Sequence, residues 1–444
     1  MVNLRKAQLE LEAVYGAGPG VNANIYEPVN DSGESRRKLK LGRIQCEDAN
    51  EGLCPLRDIR RVQDTFPARS TERSLSDVLI ADARNDDNSI ISQMTVLFHQ
   101  LHNIVVSKLP ERDLAASNSA DKGFREFWRA RNVVVDIYRR VIRHDLLKRL
   151  LHPYVYAHYD AKMPQGRFMR SSYSVPLEFA HAASRLGHAM IRPKYQISRE
   201  PDFSAPTGRV IETNSSRSPT KMPLDEKWVV DWSLFFDMRE VSEDASAPVN
   251  LSARLKPHVV TAMFAEGFVH NPLPEDGGEG IYLRDFLRAE ASQIHSVDSL
   301  LNALKGKKSE VRHLVNASEL LRKKSKRSEA IKQWLRQPSG NLSHEQVDRI
   351  TDEPPLLFFI LLEASKQQVG DVDGAHLGTL GSIIVAEAIF PALVRRPLFA
   401  GQSAKCISKQ TRKDVNSIFG SAPPKTMAEL LEFVAENHRV NQPP

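Results

Sequence analysis

Cysteine is scarce: Cys46, Cys54 and Cys406 are the only three in 444 residues, and none is in a CxxC spacing. An odd, scattered set indicates neither a zinc site nor a disulfide framework, and it fits a reducing compartment. Long apolar runs are also missing. No stretch approaches the roughly 18 apolar residues that a membrane-spanning helix needs, and the opening MVNLRKAQLELEAVYG lacks the apolar core of a secretory signal. The sequence by itself reads as cytoplasmic but leaves an extracellular address open, so localisation stays unassigned. No sign of charge dominates. The 61 basic and 55 acidic residues leave +6 over the whole length, less than a dedicated nucleic-acid binder concentrates. Strand-type alternation is nearly absent and no internal repeat occurs. What is present is 41% hydrophobic content, enough for a substantial core, in patterns that make the class mainly α.

The helical pattern is clearest from 89 to 109, where Ile90, Ile91, Met94, Leu97, Phe98, Leu101, Ile104 and Val105 recur at three- and four-residue spacing. A second helix is expected over 122–151, with Phe124, Phe127, Trp128, Val134, Ile137, Tyr138 and Val141 inward, and a third over 178–191, stopped by Pro193. Others are expected near 255–268, 281–292, 296–305, 317–336, 355–366, 378–395 and 426–437. Leu9, Leu11 and Val14 would share one side of a short helix that ends at the glycines of YGAGPG. Residues 16–60 read as extended loop with a hairpin at most, and the GxGxG within them lacks the strand and helix a phosphate loop requires. The polar, Ser/Pro-rich segment 194–225 reads as a surface excursion. The basic run KGKK…RKKSKR within 305–332 reads as a solvated helix face rather than an anion or nucleic-acid patch.

Chemistry concentrates in EFAHAASRLGHAMIRP, residues 178–193. Arg185 and His188, three apart, share a helix face. An imidazole beside a cation is a poor proton acceptor but is suited to hold a metal whose prosthetic group carries carboxylates. A satisfied core histidine is the plainer alternative. In IADARNDDNSIISQMTVLFHQLHN, residues 80–103, Arg84 and the acids Asp82, Asp86 and Asp87 stand at a helix entry, where carboxylates favour the N-terminus. A third segment, LRDFLRAEASQIHSVD at 283–298, repeats the three-residue spacing with Asp285 and Arg288.

An Ala-Asp-x-Arg turn entering a helix that ends in LFHQLHN, followed about a hundred residues later by FAHAASRLGH, resembles the animal-type haem peroxidases of the peroxidase-cyclooxygenase superfamily. LRDFLRAEASQIHSVD is similar to a stretch of its bacterial members, as are PPLLFFILLEAS…HLGTLGSIIVAEAI and the closing KTMAELLEF. The resemblance implies a single large helical haem-peroxidase domain over 1–440 with few or no strands. It also implies haem b, with His188 as axial ligand to the iron, Asp285 accepting the hydrogen of that imidazole, and Arg185 and Arg288 near the propionates. Arg84 would act on peroxide, and Asp87 could form an ester with a haem methyl. The implied reaction reduces hydrogen peroxide and oxidises a small organic substrate or halide. An arginine aimed at peroxide stabilises charge that develops on the leaving oxygen, and a carboxylate behind the imidazole makes it more electron-donating.

The chain departs from the family pattern at several places. No acid-flanked distal histidine precedes LELEAVYG, residues 9–16, and the calcium loop that follows that histidine in the family is missing with it. Relative to the family the domain is expected to be N-terminally incomplete. Three readings stay open: a shortened start, a degenerate relative, or another histidine in the role, although packing explains His99 and His102 more simply. Asp87 is one methylene shorter than the usual glutamate. Arg185 stands where the lipid dioxygenases of the superfamily carry a tyrosine, which makes a haem-dependent fatty-acid dioxygenase the weaker enzyme reading. A catalytically degenerate haem-binding or structural protein on the same scaffold is the other alternative. No nucleic-acid partner is expected, and the oligomeric state is unassigned.

Overall fold

The structure, a computed structural model, describes residues 9–28, 36–44, 57–62, 78–110, 119–163, 175–199, 202–218, 222, 224–260, 280–337, 342–366, 373–394 and 404–440. Helix dominates, and sheet among the described residues is confined to two antiparallel pairs of short strands. The chain divides into two compact units, each drawn from three stretches of sequence.

One unit comprises Leu9–Asp145, Lys194–Leu251 and Arg396–Pro444. Its centre is the Ser89–Lys108 helix. Asn88 caps this helix, its side chain accepting the N–H groups of Ile90 and Ile91, which satisfies donors the first turn would leave unpaired. Leu97, Leu101, Ile104 and Val105 are buried against Phe127, Val134 and Ile137 of the Ser119–Val141 helix. The helices Ala404–Phe419 and Met427–Val440 complete this core with Val415, Leu430 and Val434. Each such side chain taken fully from water stabilises by about 1.5–3 kcal/mol. Arg129 reaches the buried Asp414 through Nε at 3.1 Å and Nη2 at 2.9 Å, tying two of these helices together. Lys194–Ser198 pairs with Phe203–Pro206, and Ile197 and Ala205 of this hairpin pack with Val210, Met222, Leu224 and Trp228. The segment 194–225 therefore carries a small apolar core that its polar composition conceals.

The other unit comprises Met1–Gln8, Leu146–Pro193 and Ser252–Arg395. Two apolar helices, Leu356–Lys366 and Thr379–Val394, pack together and are buried around most of their circumference. Their joint is polar. Glu363, fully buried, accepts the Leu380 N–H at 3.0 Å and the Gly381 N–H at 3.4 Å, capping the second helix from the first. Gly378 makes room for this: a Cβ there would sit 2.4 Å from the Glu363 Cδ.

Several expected helices differ in detail. The 122–151 helix is Ser119–Val141 followed by a π-turn at Ile142–Leu146 and one more turn at Leu147–Leu150. The 317–336 helix is broken at Lys323, which is extended (φ −108°, ψ 114°), into Glu319–Arg322 and Lys324–Leu335. Residues 255–260 are not helical, and the rest of the expected 255–268 helix lies outside the described residues. Along the basic run, Lys323 pairs with Glu319, Lys326 with Glu329 and Lys332 with Asp348, so much of the charge is met locally. No helix among the described residues is long and apolar enough to cross a membrane.

Candidate functional site

His188 lies on a short, tight helix rather than the regular α-helix expected over 178–191. Leu177–His181 is α-helical, Ala182 leaves the helical region (φ −129°, ψ −73°), and Ala183–Met190 continues as a 3₁₀-helix. The buried alanines Ala182, Ala183 and Ala189 present little bulk to neighbouring helices. In a 3₁₀-helix, residues three apart eclipse, so Arg185 and His188 are aligned more closely than α-geometry would make them. Both apolar helices of the unit, Leu356–Lys366 and Thr379–Val394, pack against this segment.

The Gly280–Ala291 helix supplies the partner. His188 Nδ1 is 2.6 Å from Asp285 Oδ2, and Arg185 Nε is 3.7 Å from Asp285 Oδ1. Asp285 is 2% exposed. A buried carboxylate is costly unless paired and hydrogen-bonded, and this one has an imidazole on one oxygen and a guanidinium near the other. Because the carboxylate accepts, Nδ1 carries the hydrogen, which leaves Nε2 as the nitrogen with a lone pair. Among the described residues Nε2 has no hydrogen-bond partner. This is the donor set an axial haem ligand needs: an open imidazole nitrogen whose opposite N–H is held by a carboxylate. The residues fit the group.

Around this pair the arrangement is cationic. Arg288, exposed one turn beyond Asp285, makes no ion pair among the described residues. His181 belongs to the cluster, although the sequence reading missed it. Its Nδ1 is buried without a hydrogen-bond partner among the described residues, and burial, then the Arg185 and Arg288 charges, push its pKa down. Its sequence signal was the i, i+4 spacing to Arg185. Tyr282, one turn before Asp285, is pushed up by burial and then by the Asp285 charge, and its hydroxyl is likewise unpartnered among the described residues. Glu178 accepts His295 Nδ1 at 2.6 Å, tying Leu177–His181 to the stretch that follows the Asp285 helix.

Arg84 and Asp87 belong to the other unit. Asp82 caps the 3₁₀ turn Ala83–Asp86, accepting the Arg84 backbone N–H at 3.0 Å, its Nε at 2.9 Å and its Nη2 at 2.5 Å. The Arg84 side chain is nevertheless 69% exposed. Asp87 is exposed, and its carboxylate accepts only a 3.2 Å bond from Asn88 Nδ2 among the described residues. The buried histidines of LFHQLHN are satisfied. His99 Nδ1 donates to the Lys40 carbonyl at 3.0 Å, and His102 Nε2 donates to that of Arg37 at 2.9 Å. His102 Nδ1 then accepts from the Tyr15 hydroxyl at 3.1 Å. Burial pushes both pKa values down to about 4. Among the described residues no group of three or more His, Cys, Asp or Glu side chains is arranged as a metal site.

The site is thus a helical scaffold carrying an open histidine nitrogen, a buried acid behind it and arginines beside it. Residues 22–237 match the animal haem peroxidase family. The span includes Arg84, Asp87, Arg185 and His188, whereas Asp285 and Arg288 lie beyond it. Haem is the cofactor this family implies. Among solved structures, peroxidase A from Dictyostelium discoideum is similar at 14% identity with a TM-score of 0.48, over 97% of this chain and 69% of that one. No curated protein matches the chain.

Proposed function

We propose that the protein is a haem peroxidase that reduces hydrogen peroxide while oxidising a small organic substrate or halide, with haem b held through His188 Nε2. The observation that carries this reading is the 2.6 Å contact of His188 Nδ1 with Asp285, which fixes the tautomer and leaves Nε2 open. Haem, when bound, supplies redox chemistry with peroxide that no side chain provides. The chain's own residues do the rest. Asp285 holds the Nδ1 hydrogen and raises the basicity of the imidazole. Arg185 and Arg288 supply positive charge for the propionates. Arg84 supplies a guanidinium that stabilises negative charge as the peroxide bond breaks, and Asp87 is the acid available for an ester link.

Reconstitution with haem tests this. The protein should give a Soret band that His188→Ala largely abolishes, whereas a normal five-coordinate spectrum in that variant would overturn the assignment. Replacing Arg84 with Ala should slow peroxide consumption about 100-fold, the scale of one lost electrostatic donor, with haem content near wild type. Oxidation of a phenolic dye no faster than with free hemin would instead assign the scaffold a binding role.

A further inference from the structure

Arg84 and Asp87 are exposed, yet the backbone that carries them is tied down on every inward-facing residue. In a 3₁₀ turn, residues three apart eclipse. Arg84 and Asp87 accordingly share the outward side of Ala83–Asp86, while Asn85 and Asp86 are buried. Asn85 Nδ2 donates to the Ala13 carbonyl at 2.6 Å. The Asp87 carbonyl accepts Asn214 Nδ2 at 2.8 Å, and the Ser89 N–H donates to Thr213 Oγ1 at 2.7 Å. At Asp86, Oδ1 accepts Arg61 Nη2 at 3.0 Å and Oδ2 accepts the Ser215 N–H at 2.9 Å.

Arg61 is the hub. It is fully buried, and its other nitrogens donate to Asp58 Oδ2 at 2.9 Å through Nε and to Ser215 Oγ at 2.6 Å through Nη1. Asp58 is also fully buried. Three buried ions are a poor way to gain stability, since apolar residues of similar volume often serve as well. A guanidinium fork does something an apolar cluster cannot, because it donates to a carboxylate in one plane and direction.

We propose that Asp58, Arg61 and Asp86 form a positioning device that fixes the Ala83–Asp86 turn and so sets the outward geometry of Arg84 and Asp87; the catalytic part rests on the peroxidase reading above. Buried ions make single removals hazardous to folding, so two variants are needed. One neutralises the trio with Asp58→Asn, Arg61→Met and Asp86→Asn together. The other, Arg61→Lys, keeps the charge and loses the fork.

Backbone amide exchange in haem-free protein reads positioning directly. Exchange at residues 85–89 should quicken at least about tenfold in the neutral trio and less in Arg61→Lys, with residues 96–106 of the Ser89–Lys108 helix unchanged. In haem-loaded protein the peroxide rate should fall about tenfold, and adding Arg84→Ala to the neutral trio should cost much less than it does in wild type, since both act through one group. Unchanged exchange at 85–89, or a full additive loss on removing Arg84, would overturn the proposal. If Arg84→Ala alone leaves the peroxide rate unchanged, the catalytic reading of Arg84 fails, and the exchange data still decide whether the trio positions the turn.

Discussion

Asp285 Oδ2 stands 2.6 Å from Nδ1 of His188, a residue 97 positions earlier, while the other oxygen of the same carboxylate faces Arg185 Nε at 3.7 Å. The acid is shared between a hydrogen bond that orients the imidazole and a longer ionic contact that keeps the arginine beside it. Removing its charge therefore acts on both contacts at once.

Asp285→Asn should retain haem and raise its reduction potential, because a neutral amide withdraws less hydrogen from Nδ1. Turnover should fall roughly 10–100-fold, the usual cost of losing such an outer-shell partner. Spectroelectrochemistry of reconstituted protein checks this, and an unmoved potential would count against the pair.

His99 and His102 predict acid sensitivity. Each imidazole titrates near 6.5 when exposed and is pushed down to about 4 by burial. A depressed folded pKa means that each contributes stability present above pH 6.5 and lost as pH falls towards 4, by up to about 3 kcal/mol apiece. His99→Gln should flatten the fall in stability across that window, as read by urea titrations at stepped pH. A slope identical to wild type would show that this histidine is not buried neutral.

Glu363 works in the opposite direction. Its carboxyl ordinarily titrates at 4.5, and burial raises it to about 7 despite the backbone N–H groups of Leu380, Gly381 and Thr379. Its folded pKa is raised, so its contribution is full below pH 4.5 and declines as pH rises through about 7, by about 3 kcal/mol. Glu363→Gln should remove that decline. Subtracting the variant's pH–stability curve from wild type isolates the effect from the histidines; a flat difference between pH 5 and 7 would be the contrary result.

Gly378→Ala should destabilise by about 1–3 kcal/mol, the scale of overpacking in a tight core. The added Cβ would meet the Glu363 Cδ and Cγ at 2.4 Å and its Oε2 at 2.5 Å. Thermal denaturation gives the size, and combining it with Glu363→Ala should recover part of the loss if the clash is the cause.

Much of the helical content was legible locally. Ser89–Lys108, Gly280–Ala291, Val297–Leu304, Leu356–Lys366 and Thr379–Val394 follow the expected helices closely, because each writes its buried face as a periodic apolar pattern. Other signals were present but went unread. Ser343 and Gln346 form a capping box at the start of His344–Asp352, and Pro153 occupies the first position of Pro153–Asp160. The Tyr195/Ile197 alternation marked a strand inside a segment whose serines and prolines argued for surface.

The sequence by itself determined the helical class, the family resemblance and the pairing of Arg185 with His188, since these depend on spacing along one stretch of chain. Tertiary structure alone decided that Arg185 and His188 sit on a 3₁₀ rather than an α-helix, and that His181 joins their cluster. It also decided the Asp58–Arg61–Asp86 trio and the Glu363 cap. Arg61 and Asp86 are 25 residues apart, and Glu363 and Leu380 are 17 apart. Contacts of that kind leave no periodic trace, because they depend on burial and on partners brought together from distant sequence, and both are properties of the folded chain.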